Sequence, residues 1–309
     1  MSNEYDLEQE FKEEYDKITD NDLKEKLLKM KELVTKRINL EKQFKSEQSK
    51  LEALYETKYA PLYKERNDII SGNKNIDVNE VKNVLKGVDV SNVNNDSNEK
   101  GIADYWLTCL KNSSQFGSII SNKDEQILKH LKSIDLEYQE NGDFFINFYF
   151  EENNEYFSPC KLTNKYIHNQ KQTISKIEST PIQWKSEESN PTISKKKKNI
   201  KNSKTKEVKT VVKNVEVESF FNFFKSISAN NKSVSNKKDN TGEEDEEDYE
   251  EGDMIEEQYE LGVFVKDELI PYSLEYYLDL VDDEDLDDDE EDEMDDDEDD
   301  DEKPKKSLF

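Results

Sequence analysis

The chain has 309 residues, a formal net charge of -30 at pH 7 and only 32% hydrophobic residues. Much of the acidity lies in two blocks: residues 243–257 hold eleven carboxylates, and nineteen of the 21 residues from 282 to 302 are acidic. A block of like charge cannot pack into a core, so we predict a nearly neutral folded part followed by a disordered acidic tail at 282–309.

Sequence motifs for catalysis and cofactor binding are missing. The eight glycines are at least ten residues apart, which excludes the close glycines of phosphate-cradling loops and nucleophile elbows. The two histidines and two cysteines lack metal-site spacing, so we predict no enzyme activity, cofactor or metal. Because there is no disulfide framework, secretory signal or bilayer-length apolar run, we expect an intracellular protein with no membrane partner. The missing catalytic motifs predict no small-molecule substrate.

The first predicted element is a long helix. No glycine or proline precedes Pro61, and apolar residues recur every three or four positions. We predict one helix over about 22–58, opened by a capping box of Asp22 and Glu25. Pro61 would end it, and a shorter helix would follow to residue 70.

The apolar stripe of this helix predicts that residues 1–70 form a dimerisation region. A helix of this length exceeds a small domain, so its apolar stripe needs a partner helix from a second copy. The alternative is an amphipathic helix that lies on its own domain. The stripe consists of Leu27, Met30, Val34, Leu40, Phe44, Leu51, Leu54 and Tyr55.

Residues 71–100 are predicted to be a polar loop, because they are rich in Asn, Asp, Lys and Ser. Residues 101–281 combine helix starts, such as Ser121, with short alternating apolar runs. This order favours the α+β class: an antiparallel sheet with one face covered by helices, attached to the long helix. In addition to a central hairpin, short strands are expected around 159–167, 173–178 and 206–213.

The central hairpin has the most regular pattern in this domain. Ile134, Leu136 and Tyr138 alternate with polar residues before the turn. The dipeptide Asn141-Gly142 predicts a type I′ turn, in which both central residues have positive φ. The returning strand is predicted to line one face with Phe144, Ile146, Phe148 and Phe150.

A second hairpin, at about 192–213, is predicted to carry a basic tip, since nine lysines lie between 195 and 213. An acidic loop at 239–257 follows. Residues 255–281 are then predicted to be helical, with Pro271 separating two pieces.

Five segments carry a recognisable pattern: YETKYAPLY at 55–63, GIADYWLT at 101–108, FFINFYF at 144–150, TPI at 180–182 with SFFNFF at 219–224, and YELG at 259–262 with IP at 270–271. In this order, they resemble the nucleosome assembly protein family over about residues 20–281. The family usually has proline where Ala103 stands and often phenylalanine at Tyr105. The basic hairpin is closer to the nucleosome assembly branch than to the shorter branch that lacks it.

This resemblance implies a histone chaperone. It implies a dimer in which long paired helices bridge two α/β domains, whose acidic side receives core histones. Family members bind both the outer histone dimer and the central tetramer-forming pair. They assist nucleosome assembly without ATP and shuttle between nucleus and cytoplasm.

The resemblance also implies which carboxylates face the histones. The candidate acidic face consists of Glu250, Glu251, Glu256, Glu257 and Glu260. The candidate acidic tail begins with Asp282, Asp283, Glu284, Asp285, Asp287, Asp288, Asp289, Glu290 and Glu291.

The lysine run Lys195, Lys196, Lys197 and Lys198 has three interpretations: a nuclear-import signal, a DNA contact or a solvated hairpin tip. The family's import signal lies in this hairpin, which favours recognition by import machinery. Two other functional classes stay open. One is a dimeric coiled-coil scaffold with a non-specific acidic tail, and the other is a nucleic-acid binder that acts through the lysine hairpin.

Overall fold

A computed structural model describes residues 4–76, 101–169, 173–201, 208–228 and 251–281, without the side chains of 4–8, 197–201, 208–212 and 251–253. The predicted tail at 282–309, most of the polar loop and most of the acidic loop lie outside these residues. Within them, helices precede, cover and follow an antiparallel sheet. The predicted α+β class is confirmed.

Two helices form the N-terminal region: α1 spans Glu4–Lys17 and α2 spans Asn21–Ile70. The 50 residues of α2 extend about 75 Å at 1.5 Å per residue. The capping box predicted at Asp22 is wrong. The N-cap is Asp20, whose carboxylate accepts hydrogen bonds from the backbone N–H groups of Asp22 and Leu23.

The helix end predicted at Pro61 is also wrong, because α2 continues through this proline. An interior proline costs roughly 3 kcal/mol, since it removes a backbone donor and crowds the preceding turn. Beyond it, Tyr63 packs against the core, Arg66 hydrogen-bonds to the C-terminal region and Ile70 is buried. These tertiary contacts offset the local cost.

Three short helices lead into the sheet: α3 (Tyr105–Lys111), α4 (Ser114–Gly117) and α5 (Asn122–Leu128). The helix start predicted at Ser121 is confirmed. The Ser121 hydroxyl accepts from the Asp124 N–H, and the Asp124 carboxylate accepts from the Ser121 N–H. This reciprocal capping fixes where α5 begins.

The main sheet has the strand order β1-β2-β4-β5-β9, and every neighbouring pair is antiparallel. Its first four strands match the sequence predictions closely. Their bounds are Leu131–Tyr138 (β1), Phe144–Phe150 (β2), Lys161–His168 (β4) and Ile174–Ser179 (β5), and the edge strand β9 is Ile227–Ser228. The short strands β3 (Phe157–Ser158) and β6 (Gln183–Trp184) pair separately.

The β1–β2 hairpin is confirmed, but its predicted type I′ turn is wrong. Gly142 has a φ of 90°, whereas Asn141 is not among the described residues with positive φ. The Gly142 N–H donates to the Gln139 carbonyl, and the Gln139 N–H donates to the Asp143 carbonyl. The chain therefore reverses over five residues and needs one left-handed position, which Gly142 supplies.

Aromatic side chains build the core on one face of the sheet. Phe144, Ile146, Phe148 and Phe150 are all buried, as predicted from their alternation. A 3₁₀-helix, Phe220–Phe224, lays its rings against Phe116 and Phe148 at centroid separations of 5.2 to 6.1 Å. Edge-to-face aromatic pairs of this kind stabilise beyond the area that they bury.

The basic hairpin forms a two-stranded sheet of its own, β7 (Ile193–Lys201) with β8 (Val208–Glu216). Helix α6 (Glu251–Phe264) continues into one π-helical turn, Val265–Leu269, and α7 is Ser273–Tyr277. Pro271 lies between the two pieces, as predicted.

Candidate functional site

Helix α6 carries the predicted acidic face, and its position is set by close packing on the sheet. Ile255 and Phe264 point into the core. Gly262 lies directly against the buried ring of Tyr166, where an added Cβ would come within 2.2 Å of Tyr166 Cζ. Glycine at this position therefore permits the close approach of α6 to β4.

The side of α6 away from the core carries the carboxylates. Glu256, Glu257 and Glu260 are exposed and lie within two turns of one another. Glu251 is the first residue of α6, without a described side chain, and Glu250 lies outside the described residues. Three of the five predicted residues thus share one solvent-facing region.

A half-buried polar cluster under α6 involves His168, for which the sequence indicated no partner. Its Nε2 lies 3.2 Å from the Tyr259 hydroxyl on α6, and its Nδ1 lies 3.5 Å from an Asp143 carboxylate oxygen. Burial lowers the pKa of His168, although Asp143 opposes this shift. The neutral ring acts as a polar contact between β4 and α6.

The π-helical turn places a lysine among aromatic rings. The Lys266 ammonium lies 5.5 Å from the ring centroid of Tyr138 and 5.6 Å from that of Phe144, and it pairs with Asp267 at 2.5 Å. The Tyr138 hydroxyl donates to Glu52 of α2. Burial and this carboxylate raise the pKa of Tyr138. Helix α2, the hairpin and the π-helical turn therefore meet at one polar junction.

The predicted dimer stripe lies on the surface of the single chain. Leu27 is half-buried, and the other seven stripe residues are between 45% and 66% exposed. Exposed apolar residues in a continuous row, rather than scattered singly, are typical of an interaction surface.

The lysine run lies in strand β7. Lys196 is directly opposite Lys213 of β8, and Lys195 pairs with Glu187 at 2.8 Å. Lys197 and Lys198 continue the strand, without described side chains. Like charges directly across a strand pair repel one another.

Among the described residues, no cluster of histidine, cysteine or carboxylate groups has the geometry of a metal site. In the same part of the chain, no helix combines the length and the apolar character needed to span a membrane. The tail carboxylates lie outside the described residues.

Comparison with known proteins agrees with this architecture. A family model described as nucleosome assembly protein matches residues 25–280. Nucleosome assembly protein 1;3 of Nicotiana tabacum is 32% identical over 267 residues, which are 82% of this chain and 67% of that protein. Nucleosome assembly protein 1;2 of Oryza sativa subsp. indica is 32% identical over 263 residues, 84% of this chain and 68% of that protein.

The chain thus spans about two thirds of the length of these relatives. It spans 63% of the length of Nucleosome assembly protein 1;2 of Nicotiana tabacum. Among solved structures, Nucleosome Assembly Protein 1 from Plasmodium knowlesi has a TM-score of 0.54 at 24% identity and covers 85% of this chain and 100% of its own. That likeness shows the shared fold. With the family model matching more than four fifths of the sequence, the chain belongs to the nucleosome assembly protein family.

Proposed function

We propose that this protein is a non-enzymatic histone chaperone. It binds core histones, both the outer dimer and the central tetramer-forming pair, shields their charge and assists nucleosome assembly without ATP. The observation that carries the proposal is the family match over residues 25–280, in a chain that also has two acidic blocks.

The acidic tail would attract histones through counterion release. In an extended chain it places about one charge per 3.3–3.6 Å, close to the roughly 3.4 Å spacing along one DNA strand. Duplex DNA has about twice this density. The tail would therefore mask histone lysines and arginines, yet release the histones to DNA.

The acidic face would supply specificity that a flexible tail lacks. In this proposal Glu250, Glu251, Glu256, Glu257 and Glu260 contact the histones, and the exposure of Glu256, Glu257 and Glu260 on a helix fixed to the sheet supports this role. A rigid set of charges discriminates among basic partners better than a flexible one, because it fixes which distances can be matched.

Residues 1–70 would pair with those of a second copy through the stripe of α2. The exposure of that stripe in the single chain supports a homodimer. Residues 101–281 would form the histone-binding domain after the polar loop at 71–100, and 282–309 would be the tail.

The lysine hairpin would act as a nuclear-import signal, read at Lys195, Lys196, Lys197 and Lys198. Four consecutive lysines on a separate hairpin, of which Lys195 and Lys196 are exposed, support this role. With it, the protein would move between cytoplasm and nucleus and take part in histone transport.

The test separates the tail from the acidic face. Truncation after Val281 should leave histone-dimer binding at physiological salt, weaker and with a shallower salt dependence, because fewer ion contacts release fewer counterions. Charge reversal at Glu256, Glu257 and Glu260 in the full chain should instead reduce the preference for histones over polylysine. Both are measured by competition titration.

A matched control is charge reversal at Glu140, Glu152 and Glu155, three exposed carboxylates on other loops. This variant has the same net charge and should keep the preference for histones. Complete loss of binding on truncation, with no effect of the α6 reversals, would leave only a scaffold with a non-specific acidic tail. Equal binding of polylysine and histones by the intact protein would reject the chaperone proposal itself.

A further inference from the structure

A cavity of about 330 Å³ lies between α2 and the outer face of β1 and β2, away from α6. We call it the α2–β1 cavity. Two tyrosines, Tyr63 and Tyr149, are among its walls. Its carboxylates are Glu56, Asp68, Asp135 and Glu137.

One of the four acids, Glu56, has a buried Oε1 to which no group in the described part of the chain hydrogen-bonds. Glu137, by contrast, accepts from Asn147 Nδ2 at 2.7 Å and lies 3.9 Å from Lys161 Nζ. Asn67 Oδ1 is likewise buried without a hydrogen-bond donor from the described residues, although Asn67 Nδ2 donates to Asp135 at 2.8 Å. Buried acceptors without donors are uncommon, because each one loses its bond to water without replacement.

Burial disfavours the ionised form of two of these carboxylates, Glu56 and Asp135. Burial raises the pKa of Glu56, and the attraction of Lys266 offsets only part of this shift. Burial also raises the pKa of Asp135, despite the bond from Asn67 and nearby cations. Both ionised groups therefore cost folding free energy at neutral pH, a cost that an added cation would offset.

The lining itself offers one cation, the exposed Lys64. Around the cavity, Lys161 stacks over Tyr149 at 5.1 Å, and Arg66 stacks over Tyr63 at 4.7 Å. The walls thus already accommodate cations of the chain. The four carboxylates still outnumber the lysine inside.

A neighbouring cavity shows how the chain fills such a space when it has a suitable side chain. That cavity shares Glu56 and Tyr63 with the α2–β1 cavity and is also lined by Tyr138 and Lys266. There, the Lys266 ammonium occupies the position over the aromatic rings. In the α2–β1 cavity, by contrast, the two cations that stack over the tyrosine rings, Lys161 and Arg66, are not among the residues that line it.

We infer that the α2–β1 cavity receives a lysine or arginine side chain from a basic partner protein. The cation would hydrogen-bond to Glu56 Oε1 and pair with Asp135, while its aliphatic part packs between the tyrosines. This inference rests on the proposed histone binding. It adds a contact on the sheet side of the domain, separate from the acidic face of α6.

The test is the double substitution Glu56→Gln with Asp135→Asn in the full-length protein. Both changes keep side-chain shape and remove charge. Affinity for a reconstituted outer histone dimer at physiological salt should fall about tenfold, the loss expected for one charge-assisted hydrogen bond. The melting temperature should stay the same or rise, because two costly buried charges are removed.

Ala60→Trp provides a second variant, since it narrows the cavity without altering any charge. Ala60 is exposed on α2, so the larger side chain does not disturb the core. It should weaken histone binding to a similar degree. The matched control for charge is Glu152→Gln with Glu155→Gln, two exposed loop carboxylates, which should change affinity less than twofold.

Four outcomes are distinguishable. Weakened binding in both cavity variants, with normal binding in the control, supports the inference. If the wild type binds histones and the cavity variants bind them as well as the control does, the inferred role of the cavity is overturned and the proposed function stays intact. A wild-type protein that binds no histones overturns the proposed function first. A lower melting temperature for the double variant would assign the two carboxylates a structural role and also overturn the inference.

Discussion

Phe148 and Phe44 illustrate the difference between the two regions of the molecule. Phe148, in strand β2 of the domain, is 0% exposed, whereas Phe44, in α2, is 66% exposed. Both belong to regular apolar patterns of their own secondary structure. The domain therefore buries its apolar pattern within the chain, whereas the stripe on α2 stays exposed in the single chain.

The transition between the two regions lies within α2 itself. Apart from the half-buried Leu27, the stripe is exposed as far as Tyr55, whereas Ala53 and Ile70 are buried at 8% and 7%, and Tyr63 packs on the core. The same helix is thus partly an element of the domain and partly an unsatisfied surface. Its length is explained by this double role.

The largest effect should come from charges placed in the stripe. Val34→Lys, Phe44→Lys and Leu51→Lys together should convert a homodimer into a monomer, because each buried apolar side chain contributes about 1.5–3 kcal/mol. Light scattering should then give about 36.4 kDa instead of twice that mass. The control Thr35→Lys, Asn39→Lys and Gln43→Lys adds the same charge between the stripe positions and should leave the mass unchanged. If the stripe variant were still a dimer, the stripe of α2 would not be the dimer interface.

The next effect concerns the domain core. Phe148→Ala should lower the free energy of unfolding by about 3–5 kcal/mol, because it leaves a cavity among packed rings. Trp106 and Trp184, the only tryptophans in the chain, both lie in the domain, so their fluorescence reports its unfolding in denaturant. Phe44→Ala should leave this transition unchanged at concentrations at which the protein is monomeric. Equal losses for the two variants would remove the distinction between the regions.

The features of this fold that the sequence predicted are those set by local periodicity. The alternation from Phe144 to Phe150 indicated a buried strand face, and the three- and four-residue steps after Leu23 indicated a long helix. Both patterns arise because the side-chain repeat of each element must match the direction of the core. Ser121 as a helix start is equally local, since the cap and its partner lie three residues apart.

Features that depend on long-range packing were not predicted. Proline at 61 argued for a helix end, and the contacts that override it involve residues more than 200 positions away. The type I′ turn failed because the dipeptide Asn141-Gly142 does not determine how many residues a loop contains. In the candidate sites, the exposed glutamates of α6 were found from charge and resemblance, whereas Glu56 and Lys266 gave no local signal.

Arg66 is the side chain that best sharpens the comparison, because it joins the two regions. It lies in the buried end of α2 and donates from Nη1 to the Ile270 carbonyl and, at 2.9 Å, to the Ser273 hydroxyl. Its guanidinium stacks on Tyr63 at 4.7 Å and on Trp106 at 5.2 Å. Hydrogen bonds from one planar cation thus connect the end of α2 to the C-terminal region.

Replacement of Arg66 by Gln should lower the free energy of unfolding by about 2 kcal/mol, the range of a hydrogen bond from a charged donor. The control is Arg37→Gln, which removes the same charge from the exposed part of α2, where Arg37 pairs with Glu41 at 2.9 Å. An exposed pair of this kind contributes roughly 0.3–0.5 kcal/mol. The control should therefore scarcely change the unfolding transition that tryptophan fluorescence reports. If both variants lost equally little stability, the end of α2 would be held by its other contacts, such as the buried Ile70 and the hydrogen bond from Asn67 to Asp135. The larger loss at Arg66 would instead show that the helix crosses a real boundary between two differently stabilised regions.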